Sequence, residues 1–142
     1  MTYGAGGSTR ERTLSTINDF NGKGTAVAPH LSCIGDDKGR ITKLLDLYQS
    51  QGINRIVALR GDLPSGQVGL GELPYAQDLV RFIREHSGDH FHIEVAAYPE
   101  MHPQAESLDS DIQRFIEKVQ VGANAGITQF FFNPDSYFYF IE

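Results

Sequence analysis

Residues 55–64 read Arg55-Ile56-Val57-Ala58-Leu59-Arg60-Gly61-Asp62-Leu63-Pro64. Four consecutive apolar residues stop abruptly at a charged, glycine-hinged corner. A short continuous apolar run suits a strand buried on both faces, as in a parallel sheet, better than it suits an alternating, half-solvated strand. In parallel α/β folds the residues just past such a strand stand at its carboxyl end, where active sites collect. Arg60 and Asp62 are therefore the first candidates for chemistry.

Working outward, strand-like runs alternate with helical patterns. A stub at Thr2-Tyr3 leads into Gly4-Ala5-Gly6-Gly7, and Ser8 with Glu11 forms a capping-box signature for a helix to about Phe20. Asn21-Gly22-Lys23-Gly24 breaks that helix, and residues 25–33 read as a strand. Asp36 or Asp37 can cap a helix with Ile41, Leu44, Leu45 and Tyr48 on one face, stopped at Gly52. The strand at 53–59 follows, then a Gly/Pro-rich loop at 61–71. A helix over 74–86 turns Ala76, Leu79, Val80 and Ile83 inward.

Residues 91–97 form the next predicted strand. A helix over 106–121 places Leu108, Ile112, Phe115, Ile116 and Val119 at core spacing, and Gly122 stops it. Residues 126–132 read as a strand, and Asn133-Pro134-Asp135 opens a last helix.

Strand ends near Tyr3, Leu31, Leu59, Ala97 and Phe132 recur about every 30 residues, the signature of repeated βα units. A complete barrel takes about eight units and roughly 250 residues. The expectation is an α/β chain forming part of a (β/α)8 TIM barrel. It holds about four complete units plus a strand stub and an unfinished helix, so that 1–142 is a single incomplete domain. A small doubly wound sheet is the rival architecture.

Composition narrows the function. The 142 residues suffice for one domain, and 40% hydrophobic with 21% charged residues is ordinary for a globular protein. A net charge of −6 without a basic cluster argues against nucleic acid. The chain has no apolar run of membrane-spanning length and no signal pattern, so a cytoplasmic location is expected. The one cysteine, Cys33, excludes an internal disulfide and reads as a buried small hydrophobe.

Polar residues cluster at the predicted strand ends: Thr2, His30, Arg60 and Asp62, Tyr98 and His102, Gln129. Each alone reads equally well as a loop residue with a structural hydrogen bond. Gly61 permits close approach of backbone to a ligand, and Asp62 can stabilise a developing cation or bond its own turn. Arg60 suits phosphate. His30 and His102 lack metal-ligand spacing, so no metal is expected. Asp111, Arg114 and Lys118 share a helical stripe that usually means a solvated face. Gln129, among phenylalanines, needs partners that a heterocycle could supply. The loop at 4–9 departs from the dinucleotide fingerprint, with Thr9 at the third glycine position.

Thr2-Tyr3-Gly4-Ala5-Gly6-Gly7, Ala28-Pro29-His30-Leu31-Ser32-Cys33, Ala58-Leu59-Arg60-Gly61-Asp62, Ala97-Tyr98-Pro99-Glu100-Met101-His102-Pro103 and Gly122-Ala123-Asn124 through Thr128-Gln129-Phe130-Phe131-Phe132 follow one another in order. Together they resemble methylenetetrahydrofolate reductases, and the likeness runs through the whole chain. The resemblance implies an FAD-containing barrel enzyme. It would reduce 5,10-methylenetetrahydrofolate to 5-methyltetrahydrofolate with NADH or NADPH, in methionine synthesis, as a homo-oligomer.

By the same resemblance Thr2, His30, Arg60, Gly61, Asp62, Tyr75, Tyr98, His102, Ala105, Asp111 and Lys118 match FAD-holding positions. Asp62 would also be catalytic, facing the folate and stabilising its 5-iminium cation, and Gln129 would orient the pterin. The chain departs from the family at Ile116 and Glu117, where basic residues are usual. It also begins after the strand on which the family carries its general-acid glutamate, so an internal fragment, inactive alone, is expected. A non-catalytic ligand-binding module, or another (β/α)8 enzyme with a phosphorylated ligand, are the competing readings.

Overall fold

A computed structural model describes residues 10–62 and 71–142, with the side chains of 10–12 left aside. The predicted stub at Thr2-Tyr3, the glycine-rich loop after it and the Ser8–Glu11 cap lie outside the described residues. So does most of the 61–71 loop.

Helices and strands alternate: α1 (Arg10–Gly22), β1 (His30–Ser32), α2 (Lys38–Ser50), β2 (Arg55–Leu59), α3 (Ala76–Ser87), β3 (His92–Ala97), α4 (Leu108–Gln120), β4 (Ala125–Thr128) and α5 (Pro134–Ile141). The strands form one parallel sheet in the order β1-β2-β3-β4. Doubly wound sheets reverse their strand order at a switch point. Here each strand pairs with the next in sequence and no reversal occurs. The fold is α/β and matches part of a (β/α)8 barrel.

Register separates the two faces of the sheet. Leu31, Ala58, Val95 and Gly126 form one row across the strands, and His30, Val57, Glu94 and Ala125 form the adjacent row. Side chains of neighbouring rows point to opposite faces. Leu31, Ile56, Ala58, Ile93 and Val95 join Ile41, Leu44, Leu45 and Tyr48 of α2 and Leu79, Val80 and Ile83 of α3 in one buried core. These are the helical faces expected from spacing, save that Ala76 is only half-buried. The second row faces away from the helices, as a barrel's interior does.

The helix starts follow the sequence signals. The Asp37 carboxylate accepts from the Arg40 N–H at 2.8 Å, and the Asn133 side chain accepts from the Asp135 N–H at 3.0 Å. Gly126 lets α4 approach β4, because a Cβ there would lie 2.8 Å from the Phe115 ring.

Three expectations are corrected. The strand predicted over 25–33 is a ladder strand only over His30–Ser32, with Pro29 O accepting from the Val57 N–H and the Cys33 N–H donating to Leu59 O on either side of it. The strand predicted over 126–132 ends at Thr128. The α4 face expected to be buried is so only in part: Leu108, Ile112 and Phe115 are half-buried, with Phe115 packed on the core, whereas Ile116 is 40% and Val119 45% exposed. Phe130 and Phe132, past the end of β4, are likewise 75% and 85% exposed.

Candidate functional site

The corner after β2 is shaped by backbone. Gly61 sits at φ +81, and a Cβ there would meet Ser32 Cβ at 2.8 Å. Both the left-handed conformation and the close approach to the end of β1 demand glycine. The loop after β1 extends the pairing, with the Ile34 N–H donating to Arg60 O at 2.9 Å. The buried Cys33 thiol lies 3.6 Å from both Leu59 O and Tyr75 O. Burial pushes that thiol from 9.0 up to about 12. Cys33 is thus a protonated tie between the corner and the start of α3, as its small apolar character suggested.

The loop after β3 is equally constrained. Met101 stands at φ 73, and its N–H donates to Tyr98 O at 3.1 Å. The Asp111 carboxylate, one turn into α4, accepts from the His102 N–H at 2.7 Å. The Gln104 N–H donates to His102 Nδ1 at 3.0 Å, which leaves the proton of the neutral imidazole on Nε2. The Tyr98 and His102 rings meet edge to face at 4.6 Å. Burial raises the pKa of Tyr98, and Asp111 and Asp62 raise it further, so the phenol is kept as a donor.

Helix α4 carries the Asp111, Arg114 and Lys118 stripe toward these loops. Lys118 Nζ donates to Ala96 O at 2.6 Å and lies 5.5 Å from the centre of the Phe115 ring. Burial lowers its pKa, and Asp111 partly opposes that. The reading of this stripe as a solvated face is therefore corrected: Asp111 and Lys118 are half-buried and look into a cavity.

That cavity, of about 800 Å³, lies at the carboxyl ends of β2 and β3. Arg60, Gly61, Asp62, Tyr75, Tyr98, His102, Ala105, Asp111 and Lys118 all line it. Thr2 is outside the described residues. His30 is not on the lining: it pairs in register with Val57, deeper in the sheet, and burial lowers its pKa. Gln129 is also outside the lining. Its N–H donates to Ala97 O at 2.7 Å, and its Oε1 accepts from the Phe130 N–H at 3.0 Å.

Sequence reasoning missed Gln77, Gln104, Ser110 and Gln113, which line the same space, and left Arg114 and Glu117 without a clear role there. Ser110, Gln113, Arg114 and Glu117 follow the i, i+3, i+4, i+7 rule, so helical spacing could have grouped them. Gln77 and Gln104 carry no such signal. The lining is balanced in charge, with Arg60, Arg114 and Lys118 facing Asp62, Asp111 and Glu117. Among the described residues no group of three His, Cys, Asp or Glu converges as a metal site. None of the described helices is long and apolar enough to cross a membrane.

This donor set suits a phosphorylated ligand with hydroxyls and a ring: cations for phosphate, carboxylates for hydroxyls, and an aromatic with a hydrogen-bonding tip. The family model for methylenetetrahydrofolate reductase matches residues 1–142. The 5,10-methylenetetrahydrofolate reductases of Escherichia coli (strain K12) and Salmonella typhimurium are each 45% identical over 141 residues, 99% of this chain and 46% of theirs. A Zea mays protein, methylenetetrahydrofolate reductase (NADH) 1, is 37% identical over 156 aligned positions, all of this chain and 26% of its own length. The chain spans about half the length of the bacterial relatives it matches. With the strand-end corners in their cavity and the match unbroken from first residue to last, the chain belongs to the methylenetetrahydrofolate reductase family.

Proposed function

We propose that residues 1–142 are an incomplete barrel domain of an FAD-dependent enzyme. It reduces 5,10-methylenetetrahydrofolate to 5-methyltetrahydrofolate with NADH or NADPH in the one-carbon route to methionine. The observation that carries this reading is the convergence of Arg60, Asp62, Tyr98, Asp111 and Lys118 on one cavity at consecutive strand ends.

On this reading Lys118 and Arg60 offset the pyrophosphate charge, and Asp111 accepts from cofactor hydroxyls while holding the His102 loop. Tyr98 donates its phenol proton, and Gly61 lets backbone approach the ring. FAD, when bound, supplies the hydride-transfer chemistry. Asp62, at the cavity rim, stabilises positive charge developing on the folate, because a carboxylate aimed at a nascent cation lowers the barrier. Gln129 orients the pterin, and Thr2 and His30 complete the flavin contacts. The enzyme works in the cytoplasm as a homo-oligomer.

Titrating FAD into the chain should quench flavin fluorescence, with riboflavin, which lacks the pyrophosphate, binding more weakly. The loaded protein should be yellow. Failure to bind either flavin would overturn the reading.

A further inference from the structure

We infer that Glu100 is a positioning residue that locks the loop carrying Gln129 to the loop carrying Tyr98 and His102. The inference rests on the proposed folate site. Glu100 Oε1 accepts two backbone N–H groups from the segment between β4 and α5, that of Phe132 at 2.9 Å and that of Asn133 at 2.7 Å. A carboxylate at the start of a helix is also favoured by the helix dipole. Asn133 is the N-cap of α5, so the Glu100 carboxylate sits where that helix begins.

Both ends of the substrate-side loop are thereby pinned. At Gln129 the backbone N–H is held by Ala97 O at 2.7 Å, and at Phe132 and Asn133 the backbone is held by Glu100. Between these points the chain has left the sheet, since β4 ends at Thr128. Among the described residues no strand pairing fixes Gln129's loop beyond its first residue.

The cofactor-side loop is rigid enough to serve as the anchor. Met101, next to Glu100, holds φ 73, a conformation a side-chain-bearing residue adopts only where its surroundings impose it. His102 is tied to Asp111 on α4. Glu100 does not line the cavity, so it acts through the spacing of the two loops and not by touching a ligand. Its removal should loosen the folate side and spare the flavin side.

Glu100→Ala and Glu100→Gln in the full chain test this, since glutamine keeps an acceptor oxygen for the same two N–H groups. Three quantities are read: amide exchange at Phe132 and Asn133, FAD affinity by fluorescence quenching, and 5-methyltetrahydrofolate affinity by perturbation of the bound flavin's absorption. The alanine variant should exchange faster at both amides and lose roughly tenfold or more in folate affinity, with FAD affinity within about twofold and glutamine restoring most of the loss. Unchanged exchange, or equal losses for FAD and folate, would overturn the positioning role alone. If the flavin-loaded wild-type chain binds no folate, the substrate reading falls, and the positioning role with it.

Discussion

The Lys118 ammonium donates to the Ala96 carbonyl oxygen at 2.6 Å, tying α4 back to the strand it follows, at the wall of the cavity. The charge is held half-buried, where its coulombic reach is greater than in water. Lys118→Met should weaken FAD binding roughly tenfold while leaving riboflavin affinity nearly unchanged. Burial lowers the lysine's pKa below 10.5, so the ammonium is lost at a lower pH than in the unfolded chain. FAD affinity should accordingly fall on the alkaline side before the ordinary lysine range is reached, and fluorescence titrations across that range would show it.

Asp62 stands beyond the glycine hinge at the exposed rim of the same cavity. In the full-length enzyme, on the proposed reaction, Asp62→Asn should slow folate reduction by roughly ten- to a hundredfold while altering flavin reduction by NADH or NADPH much less. Separate stopped-flow measurement of the two half-reactions decides it. Equal slowing of both would argue against a cation-stabilising role.

Cys33 predicts an alkaline loss of stability. Its thiol is pushed from 9.0 up to about 12 in the folded chain, chiefly by burial. Above 9.0 the unfolded state gives up this proton while the native state keeps it, so stability falls as pH rises toward 12. At pH ~10.5 the contribution lost is about 2 kcal/mol. Denaturant unfolding of wild type and Cys33→Ala at neutral and alkaline pH should show a shallower decline in the variant.

Arg84 holds the opposite end of the sheet. Its guanidinium donates to Gly88 O at 3.0 Å, Phe91 O at 2.9 Å, Gly122 O at 2.7 Å and the Asn124 side-chain oxygen at 2.6 Å. Those acceptors belong to the loops before β3 and β4. Arg84→Ala should cost about 3 kcal/mol by leaving part-buried oxygens unpaired. Arg84→Lys should recover less than half, because an ammonium cannot copy the planar fork. Chemical denaturation midpoints measure both.

Much of the architecture was legible because it is local. The α2 face Ile41, Leu44, Leu45 and Tyr48 is buried as its spacing required, and Asp37 and Asn133 cap their helices. The errors arose where pairing or cover depends on a neighbour. Residues 25–29 are assigned to no strand, and Ile116 and Val119 carry a core pattern yet stay 40% and 45% exposed. At the site, residues next to strand ends were found, whereas Gln77, in the first turn of α3, and Gln104, on the loop after β3, carry no pattern to betray them.

The sequence by itself determined the order of βα units, the glycine-hinged corner and the family, since propensity, periodicity and motif spacing are properties of neighbours along the chain. Only the tertiary structure decided that the strands run in unbroken sequential order and that Asp111 and Lys118 face a cavity. It also decided that Glu100 bridges two loops more than thirty residues apart. Those facts depend on which groups share a desolvated space, and no one-dimensional pattern encodes that proximity.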